Sequence, residues 1–245
     1  MNQHQRTEPK EGDLRLFSVF TGVFVASLIL ANVTSSKIFA IGPFTFPGGA
    51  VVFPISFIFG DILTEVYGYE RSRKIIWTGF ACQALAALTY LVVGILPPAS
   101  FWHDQEAYSR ILGFIPRVVV ASIAAYSCGE FCNSYVLSKM KYWASGSRGW
   151  RLSWRFVAST IVGEGVDTIV FMTIAFTGVF SPTDFARTAF SLYVFKVLYE
   201  VAALPVSTRF ANWVKRYEGL DHIDTPERTN YNPFKISSRP GGGPG

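Results

Sequence analysis

The chain alternates long apolar blocks with short junctions, and most of its charge lies in these junctions and in the two terminal segments. A helix needs about 20 apolar residues to cross a bilayer, and several blocks reach that length. Residues 75–96 contain no charged side chain, and residues 16–36 are nearly as apolar. The pattern predicts an all-α integral membrane protein, a bundle of six transmembrane helices at about residues 15–40, 50–69, 75–96, 115–139, 155–180 and 189–213.

Basic residues cluster at alternate junctions between the predicted helices. The junctions after the second, fourth and sixth helices hold groups of lysine and arginine, and the intervening junctions hold few. Because positive charge favours the cytoplasmic side, both termini are expected in the cytoplasm. The predicted organisation is a cytoplasmic N-terminal segment (1–14), a six-helix transmembrane domain (15–213) and a cytoplasmic, largely disordered tail (214–245) that ends in glycine and proline.

One apolar stretch, residues 42–49, is rich in glycine and proline and is unsuited to a membrane helix. Irregular backbone is not stable in lipid, so this stretch is expected to form an outer loop or a short re-entrant turn over the bundle.

Composition narrows the function classes. The chain is 50% hydrophobic with a net charge of +5, but the basic residues lie at helix ends, so nucleic acid is not an expected partner. The three cysteines lie in apolar segments without further metal ligands nearby, and they are expected to be packing residues. The sequence has no H-E-x-x-H, G-x-S-x-G or P-loop motif, so enzyme activity, a metal and a cofactor are not expected.

Ionisable side chains interrupt the apolar helices at depths where a bilayer tolerates them least. Such groups persist where they pair, face a bundle interior or line a pathway, and they therefore indicate a polar internal site. Residues three and four apart share a helix face, which lets the polar stripes of several helices converge on one cavity. The candidate substrate-binding residues are Asn32, Phe57, Asp61, Glu130, Asn133, Glu164, Asp167, Lys196 and Tyr199.

Acids outnumber bases within these helices. Apart from the arginines and lysines near the helix ends, the acids are Asp61, Glu65, Glu130, Glu164, Asp167 and Glu200, and the bases are Lys37 and Lys196. Six carboxylates cannot all stay ionised in a bundle that excludes water. We therefore expect that some of them are protonated or that a cation binds among them. The candidate ion-coupling residues are Glu164, Asp61 and Glu200.

Four of these charges have simpler interpretations that the sequence leaves open. Lys196 and Glu200 have the spacing of an ion pair within one helix. Lys37 can extend its ammonium group to the outer interface. Glu65 can pair with Arg71 and Arg73 at the inner interface.

Helix breakers, acids and a basic stop follow each other in a fixed order around the second predicted helix. The order runs through Phe-Pro-Gly-Gly at residues 46–49, Phe-Gly-Asp-Ile-Leu-Thr-Glu-Val-Tyr-Gly at residues 59–68, and Arg-Lys at residues 73–74. This stretch, with residues 32–37 and 163–168, resembles the queuosine precursor transporter family, also called the vitamin uptake transporter family. The resemblance covers about residues 15–215.

The resemblance implies a multi-pass protein of the bacterial inner membrane. It would import 7-deazaguanine precursors of queuosine, in the cyano or aminomethyl form, for salvage into transfer RNA. A guanine-like edge offers adjacent N–H donors that one carboxylate can accept side by side, and an aminomethyl cation suits the excess of acids. Asn32 or Asn133 would meet the carbonyl and ring nitrogen, and Phe57, Tyr126 or Tyr199 would stack on the ring.

Two modes of action fit this interpretation. The first is a secondary transporter with alternating access, coupled to protons through a carboxylate such as Glu164. The second is a substrate-binding membrane subunit of an ATP-driven vitamin importer, with ATP hydrolysis on a separate partner. A membrane-embedded enzyme acting through paired carboxylates is a third interpretation with less support. The expected partners are a small-molecule substrate and the lipid bilayer, and both a monomer and a homodimer remain open.

Overall fold

The computed structural model describes residues 14–143 and 150–220. These residues form seven α-helices and one two-stranded sheet. In chain order the elements are α1 (Phe17–Thr34), β1 (Ile38–Ile41), β2 (Phe44–Pro47), a 3-10 turn (Gly48–Val51), α2 (Phe53–Tyr67), α3 (Tyr69–Ile95), α4 (Gln105–Ile111), α5 (Ile115–Trp143), α6 (Trp150–Phe176) and α7 (Pro182–Glu218).

The helices have the length and apolar surface of membrane spans. Among the described residues, three helical stretches are long and apolar enough to cross a bilayer: Phe17–Thr34, Tyr69–Ile95 and Gln105–Gly129. A fourth is α7, if its two halves, bent by 45° at Pro205, count as one span. Large apolar side chains such as Leu85, Leu88 and Val92 are exposed on α3, as expected for a lipid-facing surface. The chain is therefore a mostly helical membrane protein.

The first helix ends earlier than predicted, and a β-hairpin follows it. Residues 38–40, which were expected at the end of a helix spanning 15–40, lie in β1 instead. Gly42 at a φ of 55° opens the two-residue turn with Pro43, and Ile41 pairs with Phe44 across it. Hydrogen bonds between the two strands thus pair part of the backbone N–H and C=O groups of the predicted outer loop. The apolar sequence of this stretch does not predict such a hairpin.

The hairpin is hydrogen-bonded to the first half of α7. The hydroxyl groups of Thr45 and Thr188 are 2.8 Å apart, and the Thr45 backbone N–H donates to the Ser191 hydroxyl at 3.2 Å. Phe46 is buried in a cluster with residues of α5, α6 and α7, and its ring lies 5.7 Å from that of Phe195. The hairpin therefore covers one end of the helix bundle.

The opposite end of the bundle joins the beginning of α1, the break between α2 and α3, and the end of α7. Gly68, at a φ of 86°, is the single residue between α2 and α3. The Glu218 carboxylate accepts from the Leu16 backbone N–H at 2.6 Å, which ties α1 to α7. Ile62, Leu63 and other buried side chains form a core at this end.

Several helices extend beyond the predicted spans. Helix α3 begins at Tyr69 rather than near residue 75, and α7 runs from Pro182 to Glu218 rather than from 189 to 213. The prediction counted apolar residues, whereas a helix continues as long as its backbone hydrogen bonds do. The short helix α4 was not predicted.

Candidate functional site

A cavity of about 770 Å³ lies between the long helices. Each of α1, α2, α3, α5, α6 and α7 contributes side chains to its wall. At the hairpin end the lining includes Pro47 and Ala50, which are buried, whereas at the other end it includes Asp61 and Glu65, which are exposed. The lining is therefore buried at the hairpin end and more exposed near the α2–α3 junction.

A buried lysine lies at the centre of the charged part of the cavity. Lys196 on α7 is only 7% exposed, and its ammonium group pairs with two carboxylates of α6. The Lys196 Nζ atom lies 3.1 Å from the Glu164 Oε2 atom and also forms an ion pair with Asp167. The same Nζ atom is 4.6 Å from the centre of the Phe53 ring on α2. One ammonium group thus holds three helices together at the cavity wall.

Close backbone packing brings the two carboxylates to this position. Gly129 on α5 faces α6, where an added Cβ atom would lie 2.9 Å from the Asp167 Cβ atom and 3.0 Å from the Gly163 carbonyl oxygen. Any side chain at residue 129 would therefore push α6 away from α5. Small residues at helix contacts are the usual way for membrane helices to approach closely.

Two further carboxylates face the same cavity. Asp61 on α2 and Glu200 on α7 both line it, with Glu164, Asp167 and Lys196. Asp61 is exposed to the cavity, and no hydrogen bond or ion pair of its carboxylate is found among the described residues. With all groups ionised, these four carboxylates would share one ammonium group, and the fifth carboxylate of the lining, Glu65, pairs with Lys215. This excess of negative charge favours a cation or protons in the cavity.

Aromatic rings form part of the wall beside these charges. Phe53 and Phe57 lie one turn apart on α2 with ring centres separated by 4.5 Å, and both line the cavity, as does Tyr126. Tyr199 is not among the lining residues. Its hydroxyl group donates to the Pro54 carbonyl oxygen at 2.9 Å and so joins α7 to the first turn of α2.

An uncharged polar chain crosses the cavity wall from α5 to α1 to α3. The Ser122 hydroxyl donates to the Asn32 Oδ1 atom at 2.7 Å, and the Asn32 Nδ2 atom donates to the Gln83 Oε1 atom at 2.8 Å. All three side chains line the cavity. Ser56 on α2 also lines it, and its buried hydroxyl has no hydrogen-bond partner among the described residues.

The predicted site residues divide into three groups. The cavity lining includes Asn32, Phe57, Asp61, Glu164, Asp167, Lys196 and Glu200, which the structure brings together. Tyr199 lies behind the wall, as described above. The side chains of Glu130 and Asn133 lie outside the described part of the chain.

Sequence analysis missed Phe53, Ser56, Gln83 and Ser122. Gln83 carried a usable signal, because it is the only amide side chain in the uncharged stretch 75–96. Serine and phenylalanine are ordinary residues of membrane helices, so their types alone do not mark a site. Two of the simpler interpretations concerned ion pairs of Glu65 and Lys196. Glu65 pairs with Lys215 of α7 at 2.6 Å, and Lys196 pairs with a carboxylate of α6.

The described residues place no group of three or more histidine, cysteine, aspartate or glutamate side chains where they could hold a metal ion. The lining side chains offer hydrogen bonding, ion pairing and aromatic stacking to a ligand.

Comparison with known proteins identifies relatives over most of the chain. A family model described as "Putative vitamin uptake transporter" matches residues 47–210. The "Probable queuosine precursor transporter" of Bacillus subtilis (strain 168) is 31% identical over 190 residues, which cover 75% of this chain and 81% of that protein. The "Queuosine precursor transporter" of Escherichia coli (strain K12) is 30% identical over 156 residues, which cover 62% of this chain and 66% of that protein.

A third relative, the "Probable queuosine precursor transporter" of Haemophilus influenzae, is 27% identical over 156 residues, which cover 61% of each chain. No solved structure matches the chain. The family match covers more than half of the sequence, including α2 with Asp61 and α6 with Glu164, and it confirms the resemblance seen in the motifs. This chain belongs to the vitamin uptake transporter family.

Proposed function

We propose that this protein imports queuosine precursors, 7-deazaguanines in the cyano or aminomethyl form, across the inner membrane of a bacterium for salvage into transfer RNA. The names of the three relatives support this substrate class. The observation that carries the proposal is the acidic cavity between the helices, in which Asp61 is open and Glu164 and Asp167 share one buried lysine.

The chemistry of the cavity suits such a ligand. Its volume of about 770 Å³ lies within the range of small-molecule sites. A carboxylate such as Asp61 can accept two adjacent N–H donors of a guanine-like edge, and the excess of acids favours an aminomethyl cation. The rings of Phe53 and Phe57 supply a flat apolar surface for a planar heterocycle.

The six long helices, α1, α2, α3, α5, α6 and α7, would all cross the bilayer in this proposal, with both termini in the cytoplasm. Residues 15–213 would form the membrane domain, with cytoplasmic segments on either side. The alternation of basic junctions supports this orientation. The hairpin end of the cavity would then face outward, and the α2–α3 end would open to the cytoplasm.

Transport would proceed by alternating access, without ATP hydrolysis by this chain, and it would be coupled to protons. Glu164, Asp61 and Glu200 are the proposed coupling residues, because they are carboxylates at the cavity wall. Protonation of Glu164 would leave Lys196 paired with Asp167 alone. Such a change in ion pairing can bias one packing of α6 and α7 over another.

Uptake of labelled 7-aminomethyl-7-deazaguanine into proteoliposomes tests this function. The vesicles contain only this protein and no ATP, and they are assayed with and without an imposed proton gradient. Gradient-stimulated accumulation supports a proton-coupled carrier. Binding without entry points to the alternative function, a substrate-binding subunit that needs an ATP-driven partner. No binding of either precursor contradicts the proposed function.

A further inference from the structure

The polar chain on the uncharged side of the cavity has a defined direction. Ser122 donates to Asn32, and Asn32 donates to Gln83, so both functional groups of the Asn32 amide are occupied within the protein. Asn32 is 6% exposed and Gln83 is 2% exposed. Buried amide groups that hold each other in this way have fixed orientations. Both functional groups of Asn32 therefore hold neighbouring side chains in place, and neither is left to bind a ligand.

The end of this chain presents unused donors to the cavity. Because the Gln83 Oε1 atom accepts from Asn32, the Gln83 Nε2 group carries the free N–H donors. Among the described residues no acceptor for this group is found. Gln83 lines the cavity, so a ligand that supplies an acceptor there would gain a hydrogen bond from this group.

Ser56 provides a second unused group on the same cavity wall. It is 4% exposed, and its hydroxyl oxygen has no hydrogen-bond partner within the described part of the chain. Ser56 and Asn32 both lie within one turn of the hairpin end of their helices, α2 and α1. Most buried hydroxyl groups in proteins have partners, so an exception in a cavity wall points to a ligand.

We propose that Gln83 and Ser56 form an uncharged subsite that recognises the ring carbonyl of the transported heterocycle, and that Asn32 is the residue that positions Gln83. This inference rests on the proposed function, because the carbonyl belongs to the guanine-like ring of the precursor. The ionised carboxylates of the cavity accept hydrogen bonds and cannot donate to a carbonyl, and Lys196 is already paired with two of them. The neutral donors are the groups that remain for this task.

The test compares two ligands on each protein variant. One is 7-aminomethyl-7-deazaguanine, and the other is its analogue with an amino group in place of the ring carbonyl. Both are measured as competitors of labelled precursor binding to the purified full-length protein. The wild type should bind the carbonyl form at least about tenfold more tightly, since the analogue offers a donor where an acceptor is needed. The analogue also lacks the ring N–H beside the carbonyl, so the part of the ratio that changes with Gln83 and Ser56 is the part that reports the subsite. The ratio is insensitive to the amount of folded protein.

The Gln83→Met variant, which keeps the side-chain length but has no N–H donor, should reduce this ratio at least about threefold. The preference that remains reflects the ring N–H that the analogue lacks and a carboxylate accepts. Ser56→Ala should reduce the ratio by about threefold to tenfold without lowering the thermal unfolding midpoint, because its hydroxyl has no partner in the protein. Thr89→Val is the matched control. Its hydroxyl donates to the Leu85 carbonyl oxygen on the same helix as Gln83, outside the cavity lining, and the variant should keep the wild-type ratio.

If folded Gln83→Met keeps the wild-type affinity ratio, the subsite is overturned. If Gln83→Met does not fold, the same ratio is measured for Ser56→Ala, and a wild-type ratio there overturns the subsite. Wild-type protein that transports the carbonyl precursor but does not discriminate against the analogue also overturns the subsite, while leaving the proposed function intact. Wild-type protein that binds neither ligand overturns both.

Discussion

At the scale of single residues, the ion pairs of Lys196 are the most consequential feature of the cavity. Its ammonium group lies close to Glu164 and Asp167 in a wall where water is scarce, and it also contacts the Phe53 ring. Removing one member of a buried ion pair leaves an uncompensated charge and costs about 3–5 kcal/mol. The same groups therefore serve both the stability of the bundle and its proposed chemistry.

Replacement of Lys196 by methionine should destabilise the protein strongly. Glu164 and Asp167 would then lie beside each other without a counter-charge, and the thermal unfolding midpoint in detergent should fall well below that of the wild type. Adding Glu164→Gln and Asp167→Asn to the same chain should recover much of the loss, because the unpaired charges are removed.

The control for this experiment is Lys215→Met, which breaks the ion pair with Glu65. Glu65 has 64% of its side chain exposed, so this pair is screened by solvent and should contribute about 0–1 kcal/mol. Equal midpoints for Lys196→Met and Lys215→Met would show that the Lys196 ion pairs do not stabilise the bundle.

The charged residues of the cavity could be predicted from the sequence, whereas of its uncharged residues only a few, such as Asn32 and Phe57, were predicted. Asp61, Glu164, Asp167 and Lys196 stand out because an ionised group within an apolar helix is costly and needs a reason. Ser56 and Phe53 carry no such cost, so only their placement in space reveals them. Tyr199 shares a helix face with Lys196, but sequence spacing does not show that its hydroxyl is directed to the Pro54 carbonyl oxygen.

At the scale of secondary-structure elements, the β-hairpin covers the buried end of the cavity. Strand β2 is joined to α7 through Thr45, Thr188 and Ser191. Beneath it, Pro47 and Ala50 form the buried end of the cavity lining. A carrier with alternating access must open this end at another stage of its cycle, so the contact between hairpin and α7 must separate.

A disulfide between the hairpin and α7 should block transport. The hydroxyl groups of Thr45 and Thr188 are 2.8 Å apart, which places the two side chains within reach of a disulfide after both are changed to cysteine. In a background without Cys82, Cys128 and Cys132, oxidation should abolish uptake by proteoliposomes, and a reducing agent should restore it. Each single variant serves as a control. Full uptake by protein shown to be cross-linked would mean that the hairpin does not move.

Long apolar helices were predicted well, and the elements between them were not. The helix pattern located α1, α3 and α5 because backbone in lipid must satisfy its own hydrogen bonds, which leaves a clear apolar run. The end of α1 was misplaced because residues 38–41 are as apolar as the helix before them. Strand pairing depends on partners that the local sequence does not specify.

At the scale of the whole molecule, one end of the bundle collects the features expected of a cytoplasmic face. The beginning of α1, the α2–α3 break and the end of α7 lie together there, joined by Glu218. The basic residues Arg71, Arg73 and Lys74 follow that break, and Lys215 lies near the end of α7. Basic charge at this end favours the orientation in the proposal.

Labelling of single cysteines should test that orientation. In a cysteine-free background, Ser100→Cys lies between α3 and α4, and Ser145→Cys lies between α5 and α6. A membrane-impermeant maleimide should label residue 100 in intact spheroplasts, and it should label residue 145 only after the membrane is permeabilised. The reverse result would place the termini outside and would contradict the proposed topology.

The most direct test of the central claim, that this cavity is the transport site, is proton-driven uptake of labelled 7-aminomethyl-7-deazaguanine by Asp61→Asn in proteoliposomes. The Asp61 carboxylate lines the cavity and has no hydrogen bond or ion pair among the described residues, so the variant should fold normally and lose at least about 90% of uptake. The control is Glu106→Gln, which removes an exposed carboxylate on α4 outside the cavity lining and should transport like the wild type. Wild-type uptake by folded Asp61→Asn would contradict the assignment of this cavity as the site of transport.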